Sequence, residues 1–446
     1  MKFEEQIDLK FIVAVAIPFL LMAYVQIQNP VLLALAFGLA VLYIAKPFVL
    51  LPAAFVTSLS TEYFKMAGGA SLTPIFLLIL IISLIVSTKA TEYKQGGKTL
   101  IYILVLIVYN AISSALSVTG SFEAFSLTLF YFPIIFYMSI KRNADLNFVY
   151  KTISLSCLIF SFFLIYSFLT GGMEMAVGND SENRLTFGDI NANRYGMLCV
   201  PVATVLLFTF LNESNLIYRL SSLFGAFITL FIIILTGSRS ALYSVVGGFV
   251  LALWFFVLKK QEGKGKFAII AALAIAIVIG MNYLSSSDLL VLDRLQVDSV
   301  LEAGGSGRMD RAAYLFSNVF PNHPLFGIGL GGENEYAVSE GPCHNIILDP
   351  IIQIGLVGVL LYWIFLIPFI AKCYKRTKIT PIFFFPLMLF VTVFINGLGE
   401  VIFFERHFWI IISLCVLYAN NQTSVHLTHK RQRKQSSRSM EAVRVL

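Results

Sequence analysis

The chain has 446 residues, 58% of them apolar and only 13% charged, with a formal net charge of +7; its mean hydropathy is +0.83. Soluble monomers rarely expose apolar patches beyond roughly a few hundred Å², and this composition supplies too little polar surface to respect that bound. A water-soluble enzyme or binding module is excluded, no nucleic-acid partner is expected, and lipid is the solvent for most of the surface.

The N-terminal stretch MKFEEQIDLK mixes both signs of charge, and the apolar run from Phe11 to Ile27 lacks a small-x-small cleavage site, so it reads as a retained first span. A spanning helix needs roughly 20 apolar residues, fewer where polar flanks snorkel. Hydropathy and the polar breaks place about 14 spans, near 11–27, 31–44, 48–60, 73–87, 99–118, 125–140, 148–169, 193–212, 216–235, 240–258, 267–284, 346–371, 380–397 and 405–419. The second and third are short; a re-entrant hairpin around Lys46 and Pro47 would leave twelve and keep the parity. The expectation is an all-α polytopic membrane protein with a single transmembrane domain, 1–419, and a basic tail, 420–446, which carries His426 and His429. Cys157, Cys199 and Cys415 fall in apolar runs, Cys373 in a basic break and Cys343 alone on the far side, so neither a disulfide framework nor a metal cluster is expected.

The lysine-rich breaks KATEYKQGGK, KKQEGKGK and AKCYKRTK fall on one side if the spans alternate, together with the tail HKRQRKQSSR. The positive-inside rule makes that side cytoplasmic. Both termini are then inside, and the two longest breaks, 170–192 and 285–345, are extracytoplasmic. On this topology lysines divide 17 inside to 1 outside, whereas arginines divide 7 to 7. Topology alone would make outer arginines as rare as outer lysines. Arginine offers a planar fork that grips phosphate or carboxylate in bidentate fashion, so the outer set points to an anionic ligand. The competing reading is ion pairing with the acids of the long loop, and it fits Arg294 and Arg311 best. Arg194 and Arg239 differ, because each lies at the mouth of an apolar span, where an unpaired charge is costly.

The long loop contains the helix-compatible stretch GRMDRAAYLFSNVF, in which Met309, Ala312, Ala313, Leu315, Phe316, Val319 and Phe320 recur at near-helical spacing. This face either lies on the membrane or packs on the protein. The following GIGLGG has neither the lysine nor the strand-helix context of a phosphate loop, so it is assigned no nucleotide function. His344 stands where the loop meets the span beginning near Ile346. A neutral imidazole there acts either as a general base or as a helix cap; His323 and His407 are weaker candidates. Most aromatic residues occupy lipid-facing or packing positions; Tyr195, Tyr314 and Tyr336 are outer rings open to stacking on a ligand, and none is singled out.

The stretch HNIILDPIIQIGLVGVLLYW, His344 to Trp363, resembles the signature of the O-antigen ligase and polymerase superfamily: His-Asn, nine residues, then a G-x-x-G pair, here Gly355 and Gly358. Three further pieces agree in order, GDINANRYG, TGSRSAL and SGRMDRAAYLFSNVFPNHPLFGIGLG. The resemblance implies a GT-C-like membrane glycosyltransferase of the bacterial plasma membrane. It implies an undecaprenyl-diphosphate-linked glycan donor, an acceptor glycan on the extracytoplasmic side, and metal-independent, inverting chemistry without a cofactor. His344 would be the base, Arg239 and Arg194 would meet the diphosphate, and Arg308, Arg184, Arg311, Asn193 and Asn345 would bind or orient substrate. A flippase and a chain-length regulator are the partners such an enzyme would work beside. Ligases usually follow the glycine pair with hydroxyl residues, whereas Val359 and Leu360 stand here, which favours a polymerase over a ligase. The rival class is a transporter or lipid-linked glycan flippase, for which two similar halves with interrupted helices would be expected; the long outer loop has no counterpart in the N-terminal half.

Overall fold

The computed structural model describes residues 8–59, 63–66, 69–115, 122–176, 184–186, 191–259, 308–330, 343–378, 380–400 and 402–422. The expected span 267–284, loop residues 285–307 with Arg294, the 331–342 stretch with Tyr336, and the tail 423–446 lie outside them.

Helices α1 (Leu9–Ile27), α2 (Pro30–Leu42), α3 (Pro47–Leu59), α4 (Thr73–Ser87), the short α5 (Ala90–Tyr93), α6 (Gly97–Ala115), α7 (Phe122–Ile140) and α8 (Leu146–Leu169) make the first part of the bundle. A hairpin of β1 (Glu174–Ala176) and β2 (Arg184–Thr186) follows, antiparallel, with Met175 opposite Leu185. Then come α9 (Ala192–Asn212), α10 (Leu216–Thr236) and α11 (Arg239–Lys259). After α12 (Arg308–Tyr314) the chain ends with α13 (Leu348–Thr377), α14 (Phe384–Gly397) and α15 (Arg406–Asn420).

Among the described residues six helices are long and apolar enough to cross a membrane, namely α1, α6, α8, α9, α10 and α13, and seven further apolar helices are shorter. Each lies on an expected span. The re-entrant alternative for α2 and α3 meets an unequal pair. Both have 13 residues, a rise of about 20 Å against a hydrocarbon core of about 30 Å. Yet α3 buries every residue except Phe48, while α2 buries only Ala36 and Ala40. The first belongs to the core and the second to the periphery.

The caps show why the breaks fall where they do. Asp145 accepts from the N–H groups of Asn147 and Phe148 to start α8, and Asn215 accepts from Tyr218 N–H to start α10. Gly237 ends α10 in the left-handed conformation. The bundle is organised on α9, which is buried along almost its whole length and packs on α8, α10, α11 and α14. Aromatic rings fill the centre: Tyr150 meets Phe208 and Phe385 with centroids 5.5 and 5.3 Å apart. Thr209, inside the bundle, bonds back to Val205 O while sharing a 2.6 Å bond with Ser154.

At the lysine-rich end, Lys141 Nζ donates to Ser87 O and to Glu92 Oε2, both at 2.9 Å. Asn421 Nδ2 donates to Ala144 O at 2.6 Å and Lys372 Nζ to Asn420 Oδ1 at 2.7 Å. These bonds tie the end of α15 to the α7–α8 turn and to α13, so the polar residues of this end serve to hold helix ends together.

Candidate active site

The opposite end of the bundle gathers the beginnings of α9, α11 and α13 and the end of α14. The approach to α13 is built first. His344 has φ 55°, in the left-handed region where histidine is more tolerated than most side chains. That turn lets Asn345 cap the helix: its Oδ1 accepts from Ile347 and Leu348 N–H at 2.9 and 3.1 Å. Reciprocally, the buried Asp349 carboxylate accepts from Cys343 N–H at 2.7 Å and Asn345 N–H at 2.9 Å. A carboxylate in the first turn is also favoured by the helix dipole. Asn345 Nδ2 then donates to Leu398 O at 3.0 Å, and Ile346 N–H to Gly397 O at 2.6 Å. The side chain expected to orient substrate is therefore committed to backbone, and its work is to fasten the start of α13 to the end of α14.

That fastening sets the distance from His344 to Glu400. His344 Nδ1 lies 3.7 Å from Glu400 Oε2, with the histidine side chain 29% exposed and the glutamate only 8%. Ser240 Oγ donates to Glu400 Oε1 at 3.4 Å. Glu400 thus bridges the imidazole and the residue next to Arg239. The 3.7 Å separation is an ion-pair distance, longer than a hydrogen bond, as is common before substrate tightens a site. A carboxylate at Nδ1 favours the tautomer with its proton there, which leaves Nε2 as the proton acceptor.

Arg239 opens α11 and is half-buried. Arg194 is exposed in the first turn of α9, beside half-buried Asn193 and after Asn191, whose Oδ1 accepts from Asn193 N–H at 2.8 Å. The two arginine-bearing ends are brought together at Gly196. A Cβ there would fall 2.7 Å from Ser238 Cβ and 2.9 Å from Thr236 Oγ1, so only glycine lets α9 lie directly on the turn that precedes Arg239. The three residues expected to be catalytic come from three separate helix starts at one end of the bundle.

The amphipathic face of the long loop packs inward on protein. Ala312, Leu315 and Val319 form a small core with Ile328, Cys343 and Ile352, with Phe316 and Phe320 against it. This core seats α12 on the start of α13 through the residue preceding His344. Arg311 is half-buried on α12 and Arg308 begins it, while Arg184 lies in β2; the side chains of Arg308 and Arg184 are outside the described set. Tyr195, read from the sequence as an outer ring open to stacking, is fully buried and directs its hydroxyl to Met173 Sδ at 3.6 Å.

Residues 324–329, which include the start of the glycine-rich run, and the break at Gly355, first of the G-x-x-G pair, prove to be two halves of one joint. Helix α13 breaks at Gly355, φ 66° and ψ 177°, a conformation essentially closed to other residues. The loop docks in the break: Ile328 and Gly329 N–H donate to Ile352 and Gln353 O at 3.0 and 2.9 Å, and Leu356 and Val357 N–H donate to Pro324 and Leu325 O at 3.0 and 3.2 Å. A Cβ on Gly327 would lie 2.6 Å from Gly355 N, and one on Gly355 would lie 2.6 Å from Gly327 N. Tyr109 of α6 completes the joint by donating to Ile354 O at 2.5 Å.

Sequence reasoning missed Glu400 and Ser240. The cost of a charge at the end of an apolar span, applied to Arg194 and Arg239, applies equally to the glutamate in INGLGEVIFF. His323 is exposed and His407 buried away from water, and neither takes part in these contacts.

A family model described as O-antigen ligase matches residues 224–363. No curated protein and no solved structure matches the chain. The matched segment begins in α10 and contains Arg239, Ser240, α12, the Gly327–Gly355 joint and His344. The His-Asn and G-x-x-G residues lie inside that segment, so residues 224–363 are similar to the O-antigen ligase family, which supports the resemblance to the ligase and polymerase superfamily.

Proposed function

We propose that this membrane protein polymerises undecaprenyl-diphosphate-linked oligosaccharide repeat units into a surface polysaccharide, by inverting and metal-independent glycosyl transfer at the extracytoplasmic face of the bacterial plasma membrane. The observation that supports it best is the contact of His344 with buried Glu400, itself bonded to Ser240 beside Arg239. The lysine distribution favours cytoplasmic termini and an outward-facing site.

In this reading the anomeric carbon of the donor already carries a good leaving group. An acceptor hydroxyl oxygen attacks that carbon, its bond to the diphosphate oxygen breaks, and the hydroxyl proton passes to His344 Nε2. Glu400 stabilises the imidazolium so formed, as the acid of a catalytic triad does. Arg239 and Arg194 neutralise the charge that develops on the diphosphate, the kind of fixed electrostatic complement that usually supplies the largest part of a rate enhancement. Arg308, Arg184 and Arg311 are further contacts to the donor, and Asn193 supports Arg194 from the same turn.

Ligase-type transfer to lipid A core, protein or a wall polymer uses the same donor chemistry. Of the two residues that favour the polymerase, Leu360 is 60% exposed on a face shared with Leu356, Ile364 and Ile367, where lipid contact alone accounts for an apolar side chain. The distinction rests on half-buried Val359. Replacing His344→Ala and Arg239→Ala in the native host and running the surface glycan on a gel tests both readings. Single-repeat products identify a polymerase, and long chains retained on the polyprenyl carrier identify a ligase. Unchanged glycan at normal protein levels sinks the assignment.

A further inference from the structure

At the lysine-rich end the last turns of α13, the end of α15 and the α7–α8 turn meet in one corner. Arg376 Nη1 donates to Tyr418 O at 3.2 Å and to Asn421 O, and its guanidinium lies over the Phe383 ring, 5.5 Å from the centroid. Lys372 Nζ is on Asn420 Oδ1, and the carbonyl of Arg142 accepts from Gln422 N–H at 2.6 Å. Residues 420–422 thus gather three cation-bearing residues, and the charges of Arg376 and Arg142 both act on Lys372.

Like charges this close repel, and the half-burial of Arg142 and Arg376 weakens the screening that would relieve them. Among the described residues no carboxylate lies within ion-pair distance of the three. Asp145, in the same turn as Arg142, is spent on Asn147 and Phe148 N–H at 3.0 and 3.1 Å, and Glu92 pairs with Lys141. The carbonyl ends of α13 and α15 compensate in part, as helix C-termini do for cations. That capping leaves donors over: among the described residues the Arg142 guanidinium makes neither a hydrogen bond nor an ion pair, and Arg376 keeps its second terminal nitrogen. A phosphate group meets such a set, because its oxygens accept from several cations at once and suit the arginine fork.

The surface beside the corner indicates which phosphate. Leu360, Ile364 and Ile367 are 60, 46 and 54% exposed and form one stripe on α13 that continues through exposed Ala371 to exposed Lys375, with Tyr374 beside it. An apolar stripe that ends in cations and an interfacial tyrosine fits a lipid laid along the helix, chain on the stripe and headgroup in the corner. A free phosphate would use the cations and not the stripe.

We infer that this corner binds an anionic phospholipid, its phosphate on Arg142, Lys372 and Arg376 and an acyl chain along α13. The site lies at the end of the bundle opposite His344 and Glu400 and does not depend on the transfer reading. Full-length protein, delipidated in neutral detergent, is titrated with pyrene-labelled phosphatidylglycerol or phosphatidylcholine, and binding is read by energy transfer from tryptophan. Phosphatidylglycerol saturates and binds at least tenfold more tightly than phosphatidylcholine. Arg142→Gln, which breaks no side-chain bond and so spares the fold, weakens phosphatidylglycerol severalfold, and Arg142→Gln with Lys372→Gln weakens it at least tenfold. Lys94→Gln with Lys98→Gln removes two exposed charges elsewhere at the same end and leaves binding at the parent value. Equal affinity for the two lipids, no loss in the Arg142 and Lys372 variants, or an equal loss in the Lys94 and Lys98 pair overturns the inference. Displacement of the labelled lipid by inorganic phosphate at the same concentration assigns the corner to free phosphate and also overturns it.

Discussion

Glu400, in the turn after α14, and His344, in the approach to α13, place Oε2 and Nδ1 3.7 Å apart although neither residue belongs to a motif that contains the other. The contact is held from outside the pair, by Asn345 Nδ2 on Leu398 O and by Ile346 N–H on Gly397 O. Glu400→Gln keeps the shape and removes the charge that stabilises a protonated His344. Turnover should fall at least tenfold, and by less than the roughly 10⁴-fold of an optimally bonded triad acid, with donor binding unchanged. Single-turnover assays in proteoliposomes check this; equal turnover in Glu400→Gln removes the glutamate from the mechanism.

His344→Ala should cost about 10²- to 10⁴-fold, the usual worth of a positioned base. Arg239→Ala should weaken donor affinity as well as turnover, because the arginine meets charge present before the reaction begins. Titration of labelled polyprenyl diphosphate against both variants separates the two. A His344 variant that loses donor binding as severely as the Arg239 variant contradicts the roles assigned.

At the joint, Gly355→Ala and Gly327→Ala each ask an L-residue to adopt a positive φ, and each drives a Cβ against backbone of the other strand. Strained backbone costs of order 1–3 kcal/mol and overpacking a similar amount, so each variant should melt well below the parent in detergent. Gly97→Ala, where an added Cβ meets nothing within 4 Å, is the control and should melt with the parent.

Asn345→Ala removes a cap worth about 0.5–2 kcal/mol together with the link to Leu398. Asn345→Asp retains the acceptor for Ile347 and Leu348 and loses the Nδ2 donor. The aspartate variant should therefore recover helix stability in thermal melts while activity stays below the parent's, because one of the two bonds that set the distance from His344 to Glu400 is lost and only the Ile346–Gly397 bond remains. Parallel recovery of both would show that capping alone matters.

Burial pushes the Glu92 carboxyl up, but the Lys89 N–H and the Lys141 ammonium outweigh it and hold the group below its ordinary value of 4.5. A carboxyl depressed on folding contributes stability that is present above the unfolded value and is lost as pH falls through the folded one. Glu92→Gln should lower the melting temperature at pH 7 and narrow its gap to the parent below about pH 4.5, by a modest amount since the carboxylate is partly exposed. A gap that stays constant from pH 7 to pH 4 removes Glu92 from the stability of the lysine-rich end.

By itself the sequence determined that lipid is the solvent, where the apolar helices lie, and which residues begin them. Those are properties of composition and local order: apolar runs, proline and Asx starts, and lysine in the breaks act over a few residues. Arg194, Arg239 and His344 were visible on the same grounds, as polar groups at the mouths of apolar runs. Which of these mouths meet was decided only by tertiary structure. Gly196 admits the turn before Arg239 against α9, and Gly327 and Gly355 remove the side chains that would hold loop and helix apart. The amphipathic face of α12 was equally consistent with membrane or protein until Ile328, Cys343 and Ile352 were seen to cover it. Glu400 became a partner of His344 only when backbone bonds tied α14 to α13. No local pattern encodes that pairing, because it depends on the relative placement of two helix ends far apart in the chain.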